Sequence, residues 1–262
     1  MNVAAKILRL IPLLIALSIP FTGSCCSMCK VTINGRTYVG SNEDSWRTNS
    51  RIWFEKGLQN GLGSVYVGFG DLPQGGMNEA GLVFDGLTTL PKQIKNDPTK
   101  KEISSPKDFL KEIMQTCKSV DDVKRFASQY NRQKFYNNGV LVFVDRTGKY
   151  LVMESDTLII GSDDKYLIAN FCPSNTSEEE KLTWDRYRRG RMFLDNHKAD
   201  TSSNFCFALT DTMHECRERI GDGTMYSFIA DLDKGDFTVC FYHDFKHPIT
   251  FNLKQELVKG RP

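Results

Sequence analysis

The chain is predicted to fold as an α+β layered sandwich in a single domain. Three observations carry the prediction. Asn34-Gly35, flanked by β-branched runs, opens the domain as a tight hairpin. Strand-like runs, then helical periodicity, then further strands and helices follow in blocks. No linker, repeat or low-complexity stretch divides residues 26–262, a length that suits one large domain.

Residues 1–25 are expected to be a secretory signal. Lys6 and Arg9 precede the ten-residue apolar run Leu10–Ile19, and the small residues Thr22-Gly23-Ser24 follow. The run is too short to span a bilayer, Pro12 and Pro20 break it as a core helix, and no later segment reaches a transmembrane length. The protein is therefore expected to be exported, periplasmic or extracellular. Lipid anchoring at Cys25 is the alternative, although the aliphatic residue of a lipobox is missing.

Lys30–Ile33 and Arg36–Val39 form the hairpin arms. Arg51–Phe54, Ser64–Phe69 and Gly81–Phe84 read as strands, and "GLGSVYVGFG" is a glycine-punctuated strand, since no G-K-[ST] follows to make a phosphate loop. Asn78 and Glu79 are read as turn-shaping residues. Lys92–Ser105 is a polar excursion. Helices are predicted over Pro106–Cys117, where Phe109, Leu110, Ile113, Met114 and Cys117 share a face, and over Ser119–Tyr130. "GVLVFVD", "KYLVMES" and "KYLIANF" give three strands between residues 139 and 171. Ser177-Glu178-Glu179-Glu180 is a capping box opening a helix to about residue 197. Asn204–Arg217 reads as helix, and Thr224–Phe245 as a hairpin turning at Asp233-Lys234-Gly235.

The formal net charge of +2, with basic residues scattered apart from "RYRRGR" at 186–191, does not indicate nucleic acid. Of the four histidines only His243 and His247 are close, which argues against a histidine metal site. No cofactor or metal is expected.

"GSCCSMCK" at 23–30 is the chemically informative stretch. Cys26 and Cys29 make a C-x2-C with no second pair to complete a zinc site. A disulfide to a distant cysteine is the expectation for Cys29 or Cys117. Cys26 suits another role, a nucleophile exposed by cleavage. Its own α-amine, of unperturbed pKa about 7.7–8.0, can then take the thiol proton. Such a site needs a group to hold the amine and donors for an oxyanion. Gly40-Ser41-Asn42-Glu43-Asp44 lies suitably beyond the hairpin.

"CSMCKVTINGRTYVGSNEDSW", "GGMNEAGLVFDGL" at 75–87, "LIANF" at 167–171 and "TMYSFIADL" at 224–232 carry a resemblance. Together they resemble the choloylglycine hydrolase, penicillin V acylase and isopenicillin-N acyltransferase group of N-terminal nucleophile (Ntn) hydrolases. The resemblance implies a four-layer αββα sandwich and hydrolysis of a linear, non-peptide C–N amide of a small N-acyl substrate through an acyl-cysteine. It makes Cys26 the nucleophile and Asp44 the holder of its amine. Asn170 becomes the side-chain oxyanion donor, Thr88 the backbone donor and Arg186, in "DRYRR", the active-site arginine. Ser41 stands where those families usually have Arg, so bile-salt or penicillin V specificity is not implied. Arg51 and Arg186 are the candidates to supply that charge.

Helical periodicity independently places Arg186 in one arc with Leu182, Tyr187, Gly190, Phe193 and Leu194, whereas Arg188, Arg189 and Arg191 point to solvent. A buried arginine needs a carboxylate or ligand, so a structural ion pair is the competing explanation. Acyl transfer to an amine uses the same intermediate and is the nearest functional alternative. A lipid-anchored, non-catalytic binding protein of the same fold is the more distant one.

Overall fold

In the computed structural model, which describes residues 26–45, 47–92, 95–198, 203–217 and 222–259, the domain opens with the expected hairpin. The expected signal segment, with Cys25, lies outside the described residues. Asn34 and Gly35 take φ of 50° and 76°, the left-handed pair that a two-residue turn between twisted strands requires. They join β1 (Ser27–Ile33) to β2 (Arg36–Ser45). Next come β3 (Ser50–Glu55), β4 (Ser64–Phe69), β5 (Leu72–Asn78), β6 (Val83–Thr88) and the short β7 (Lys101–Glu102). The side chains of Ser105 and Ser119 accept the N-terminal amides of α1 (Pro106–Thr116) and α2 (Val120–Ala127). β8 (Tyr130–Asn131) and α3 (Gln133–Tyr136) lead to β9 (Gly139–Val144), β10 (Tyr150–Met153), β11 (Leu158–Gly161) and β12 (Lys165–Ile168). The remainder is α4 (Glu178–Lys181), α5 (Asp185–Asn196), α6 (Ser203–Met213), β13 (Cys216–Arg217), β14 (Asp222–Asp231), β15 (Asp236–Phe241), β16 (Ile249–Asn252) and α7 (Leu253–Lys259).

Among the described residues two large antiparallel sheets form, besides the short parallel pair β7-β8. One runs β12-β1-β2-β14-β15-β16, with β13 beside β14, and the other runs β11-β10-β9-β6-β5-β4-β3. Met28 and Phe228 of the first share a buried core with Val65, Met77, Leu87 and Val142 of the second. α5 and α6 pack on the outer face of the first sheet. Phe109, Ile113 and Val123 of α1 and α2 bury Phe84, Phe143 and Leu151 on the outer face of the second. This is the four-layer αββα sandwich.

Strand alternation sorts the hairpin side chains between the two faces of the first sheet. Ser27, Cys29, Gly40, Asn42 and Asp44 face the helices: the Asn42 amide donates to Thr210 O, and a Cβ on Gly40 would stand 1.9 Å from Thr210 Oγ1. Cys26, Met28, Ser41 and Glu43 face the second sheet.

Several elements depart from expectation. The helix opened by the Ser177 capping box stops after Lys181, and extended backbone at Trp184 starts α5 afresh. Arg186 is therefore in the first turn of a new helix, and Leu182, outside it, is 46% exposed. Tyr187 and Gly190 are buried and Phe193 and Leu194 half-buried, as the arc predicted. Arg189 is not simply solvated, since it donates to Thr212 O and His214 O and ties α5 to the end of α6. α6 stops at Met213, and Cys216–Arg217 is strand. β5 went unpredicted because Pro73, Gly75 and Gly76 argue against a strand. The glycines are there for close packing, since a Cβ would come within 2.5 Å of the Phe228 ring at Gly75 and 2.4 Å of Val65 O at Gly76. Asn78 and Glu79 do shape the following turn. The Asn78 side chain accepts from Ala80 N and Leu82 N, and that of Glu79 accepts from Gly63 N.

Of the two cysteines expected to bridge, only Cys29 has a thiol beside it among the described residues. Its Sγ is 4.0 Å from Cys206 Sγ on α6, both buried, whereas Cys117 meets the Thr116 hydroxyl. Under oxidising refolding with a small-molecule disulfide, Cys29 and Cys206 are expected to bridge. Alkylation of the unfolded, unreduced protein followed by mass spectrometry should find both protected; if both are alkylated, the thiols stay reduced.

Candidate active site

The two-residue turn sets Ile33 opposite Arg36, and counting back along both strands brings Cys26 opposite Glu43, one step beyond the Ser27–Asn42 pair. Across the next strand Glu43 faces Tyr226. Cys26, Glu43 and Tyr226 therefore form a row over β1, β2 and β14. The Cys26 thiol donates to Glu43 Oε2 at 3.2 Å. Asp85 on β6 of the second sheet faces this row and accepts from Ser41 Oγ at 2.8 Å. The Tyr226 hydroxyl, in a residue 1% exposed, has no hydrogen-bond partner among the described residues.

Burial dominates the electrostatics. It pushes the Cys26 thiol well above its usual range, and the carboxyls of Glu43, Asp44 and Asp85 push the same way. The thiol is thus held protonated. Glu43 is pushed up to about 8 by burial, against the lowering effect of the Cys26 hydrogen bond. Burial also holds Asp85 far above the carboxylate range.

A second network lies on the helix side. Asp44 Oδ2 accepts from Arg186 Nη1 at 2.6 Å, and its Oδ1 accepts from Thr224 Oγ1 at 2.5 Å. Arg186 Nη2 donates to Asn170 Oδ1 at 3.1 Å, and Asn170 Nδ2 donates to Thr88 O at 2.8 Å. Glu215 adds a second carboxylate 3.7 Å from Arg186. Burial raises Asp44 to about 7 despite the guanidinium, which lowers it. A bulge between Thr224 and Tyr226 makes both networks possible. Without it these two residues would share a face; with it Thr224 meets Asp44 while Tyr226 turns toward Asp85.

The two networks meet at a cleft of about 400 Å³. Cys26 and Glu43 lie in its lining with Thr88, and Leu72, Leu110, Tyr136 and Val140 contribute apolar wall. Lys107 at the rim is paired with Asp71 at 2.6 Å. Among the described residues no cluster of three or more His, Cys, Asp or Glu side chains could hold a metal ion.

No protein-family model matches the chain, and no curated protein matches it either. Solved structures do. A mutant of conjugated bile acid hydrolase from Clostridium perfringens is 16% identical, with 91% of this chain and 95% of that one covered and a TM-score of 0.68. Penicillin V acylase from Agrobacterium tumefaciens is 12% identical over 87% and 85% of the two chains, with a TM-score of 0.62. The N-acylethanolamine-hydrolyzing acid amidase ortholog of Caenorhabditis elegans is 11% identical over 79% and 93%, with a TM-score of 0.56. The chain has the Ntn-hydrolase fold.

On this Ntn scaffold all five residues singled out from the sequence come together. Asp44, Arg186, Asn170 and Thr88 form one hydrogen-bonded chain, and Cys26 shares the cleft with Thr88. Neither candidate replaces the charge absent at Ser41: Arg51 is exposed over the Trp53 ring, and Arg186 is engaged on the other face of β2. Glu43, Asp85, Thr224, Glu215 and Tyr226 were not singled out. Only Glu43 had a legible signal, because the hairpin register pairs it with Cys26.

Proposed function

We propose that the protein is an exported amidase. It cleaves the C–N bond of a linear, non-peptide N-acyl amide, with Cys26 as nucleophile once residues 1–25 are removed. The observation that supports this most is the Cys26 thiol in the cleft beside Thr88, which Asn170, Arg186 and Asp44 hold in place. The names of the three fold relatives, for conjugated bile acid, penicillin V and N-acylethanolamine, agree with amide chemistry.

The three carboxyls around Cys26 explain why cleavage matters. With its nitrogen in a peptide bond, the thiol has acids beside it and no base of its own. A freed α-amine can take the thiol proton, and the resulting ammonium stabilises the thiolate. The sulfur then attacks the amide carbon. Thr88 N–H and the second N–H of the Asn170 amide receive the oxyanion, and the ammonium returns its proton to the leaving nitrogen. Water cleaves the thioester by the same sequence. Asp44 holds the freed amine, and through Arg186 it also fixes Asn170.

Asn170→Ala is expected to lower kcat by about 10²–10³ and to change KM less, because the contact strengthens in the transition state. Steady-state kinetics on a folded variant check this. Near-normal turnover would remove Asn170 from the oxyanion site.

A further inference from the structure

We propose that the cleft recognises an α-ammonium group on the acyl half of the substrate, so that the preferred substrates are amides of apolar α-amino acids. The proposal rests on Cys26 being the nucleophile and adds the chemical class of its acyl group.

Glu43 fixes the location. Its Oε2 lies 3.2 Å from Cys26 Sγ and its side chain is part of the cleft lining. In a reactive pose the carbonyl carbon sits about 3–3.5 Å from the sulfur. Glu43 is then within reach of a substituent one bond from that carbon, which is the α position.

Charge fixes the kind of substituent. Glu43 and Asp85 are buried acids, 4% and 1% exposed, and among the described residues neither has a basic side chain within ion-pair distance. Cys26 and Asp44 add further acidic groups, while Arg47, placed over the Phe69 ring, bears on Glu43 only weakly and from further away. The Cys26 α-amine freed by cleavage is a single base among these acids and is spent on the thiol proton, so Glu43 still lacks a cation of its own, and a docked ammonium supplies it at the release of one proton to solvent. A carboxylate or sulfonate at the same place would meet only acids.

The walls fix the side chain. Leu72, Leu110, Tyr136 and Val140 suit an aliphatic or aromatic group, and the rim cation Lys107 is already neutralised by Asp71. The ammonium takes no part in proton transfer. The S–C bond forms, the C–N bond breaks, and the leaving amine takes the proton that left the thiol, as in the hydrolysis above.

The test compares L-leucine p-nitroanilide with 4-methylpentanoyl p-nitroanilide, which differs only in lacking the ammonium, on protein that begins at Cys26. A kcat/KM at least about 10-fold higher for the leucine compound is expected, as one charge-assisted contact of at least about 1.4 kcal/mol supplies. In Glu43→Gln, which matches the protonated carboxyl in shape, the ratio of the two kcat/KM values should fall to about 1, whatever the variant's absolute rate. N-acetyl-L-leucine p-nitroanilide should behave as the desamino compound. Equal or better turnover of the desamino compound, or an undiminished preference in Glu43→Gln, overturns the inference while leaving the amidase reading intact. If neither compound is cleaved but iodoacetamide still labels an N-terminal Cys26, the α-amino acid class is likewise overturned. Failure of the amidase reading shows separately, as no turnover of any acyl-amide and no labelling of Cys26 by iodoacetamide, whereas full activity with the Cys26 amine blocked would overturn the N-terminal mechanism.

Discussion

Cys26→Ser is expected to fold and to lose nearly all amidase activity. The hydroxyl fits the place of the thiol but is far harder to deprotonate than a thiol of unperturbed pKa about 8.5. A companion protein, with Cys26 intact and one uncleavable residue before it, should be equally inactive. There the amine has become an amide with no basic lone pair, while the burial and the three carboxyls that hold the thiol protonated remain. Turnover of synthetic acyl-amides should return when the extra residue is removed proteolytically. Intact mass should place the N-terminus of exported, active protein at Cys26. Normal turnover by the blocked protein, or a diacylglycerol on Cys25, would sink the mechanism.

Arg186→Met is expected to be the most destabilising single change at the site. Its guanidinium and the Asp44 carboxyl are each 5% exposed and 2.6 Å apart, so removing one leaves the other buried and unpaired. Breaking such a pair costs about 3–5 kcal/mol. The loss should depend on pH in a definite direction. Asp44 is held at about 7 in the fold, against about 3.9 in an unfolded chain. A carboxyl raised in this way favours the fold while protonated, and that contribution fades as pH climbs through the folded value. Without Arg186 the folded value rises further. The deficit should thus be largest near pH 8 and shrink toward pH 5, where Asp44 is neutral with or without Arg186. Adding Asp44→Asn should recover part of the stability at pH 8. Thermal unfolding across that range checks both statements, and a deficit independent of pH would mean that Asp44 does not need the guanidinium.

The layered α+β class, the opening hairpin and α1 and α2 were legible in the sequence because local signals decide them. Asn34-Gly35 forces the two-residue turn, Ser105 and Ser119 cap helices, and the apolar periodicity of Pro106–Cys117 marks a one-sided helix. The turn also sets register, so the pairing of Cys26 with Glu43 was written in the chain. The grouping of Cys26, Asp44, Thr88, Asn170 and Arg186 was legible through resemblance and not through any local rule.

Which face each side chain meets, and what waits there, was decided by the tertiary structure. Asp44 and Glu43 are neighbours on one strand, yet alternation sends one to Arg186 under the helices and the other to Cys26 between the sheets. The bulge between Thr224 and Tyr226 reverses the parity that the sequence alone would assign. Ser41 meets Asp85 only because two sheets, whose strands carry no local mark of their facing partners, pack together. α5 begins at Asp185 because the chain turns out of α4 at Trp184, which sets Arg186 against Asn170 and Asp44. The physical reason is range. Turns, caps and periodicity act over a few residues of chain, whereas a buried charge, its partner and the water excluded from both are fixed by distances between segments more than a hundred residues apart, such as Asp44 and Arg186.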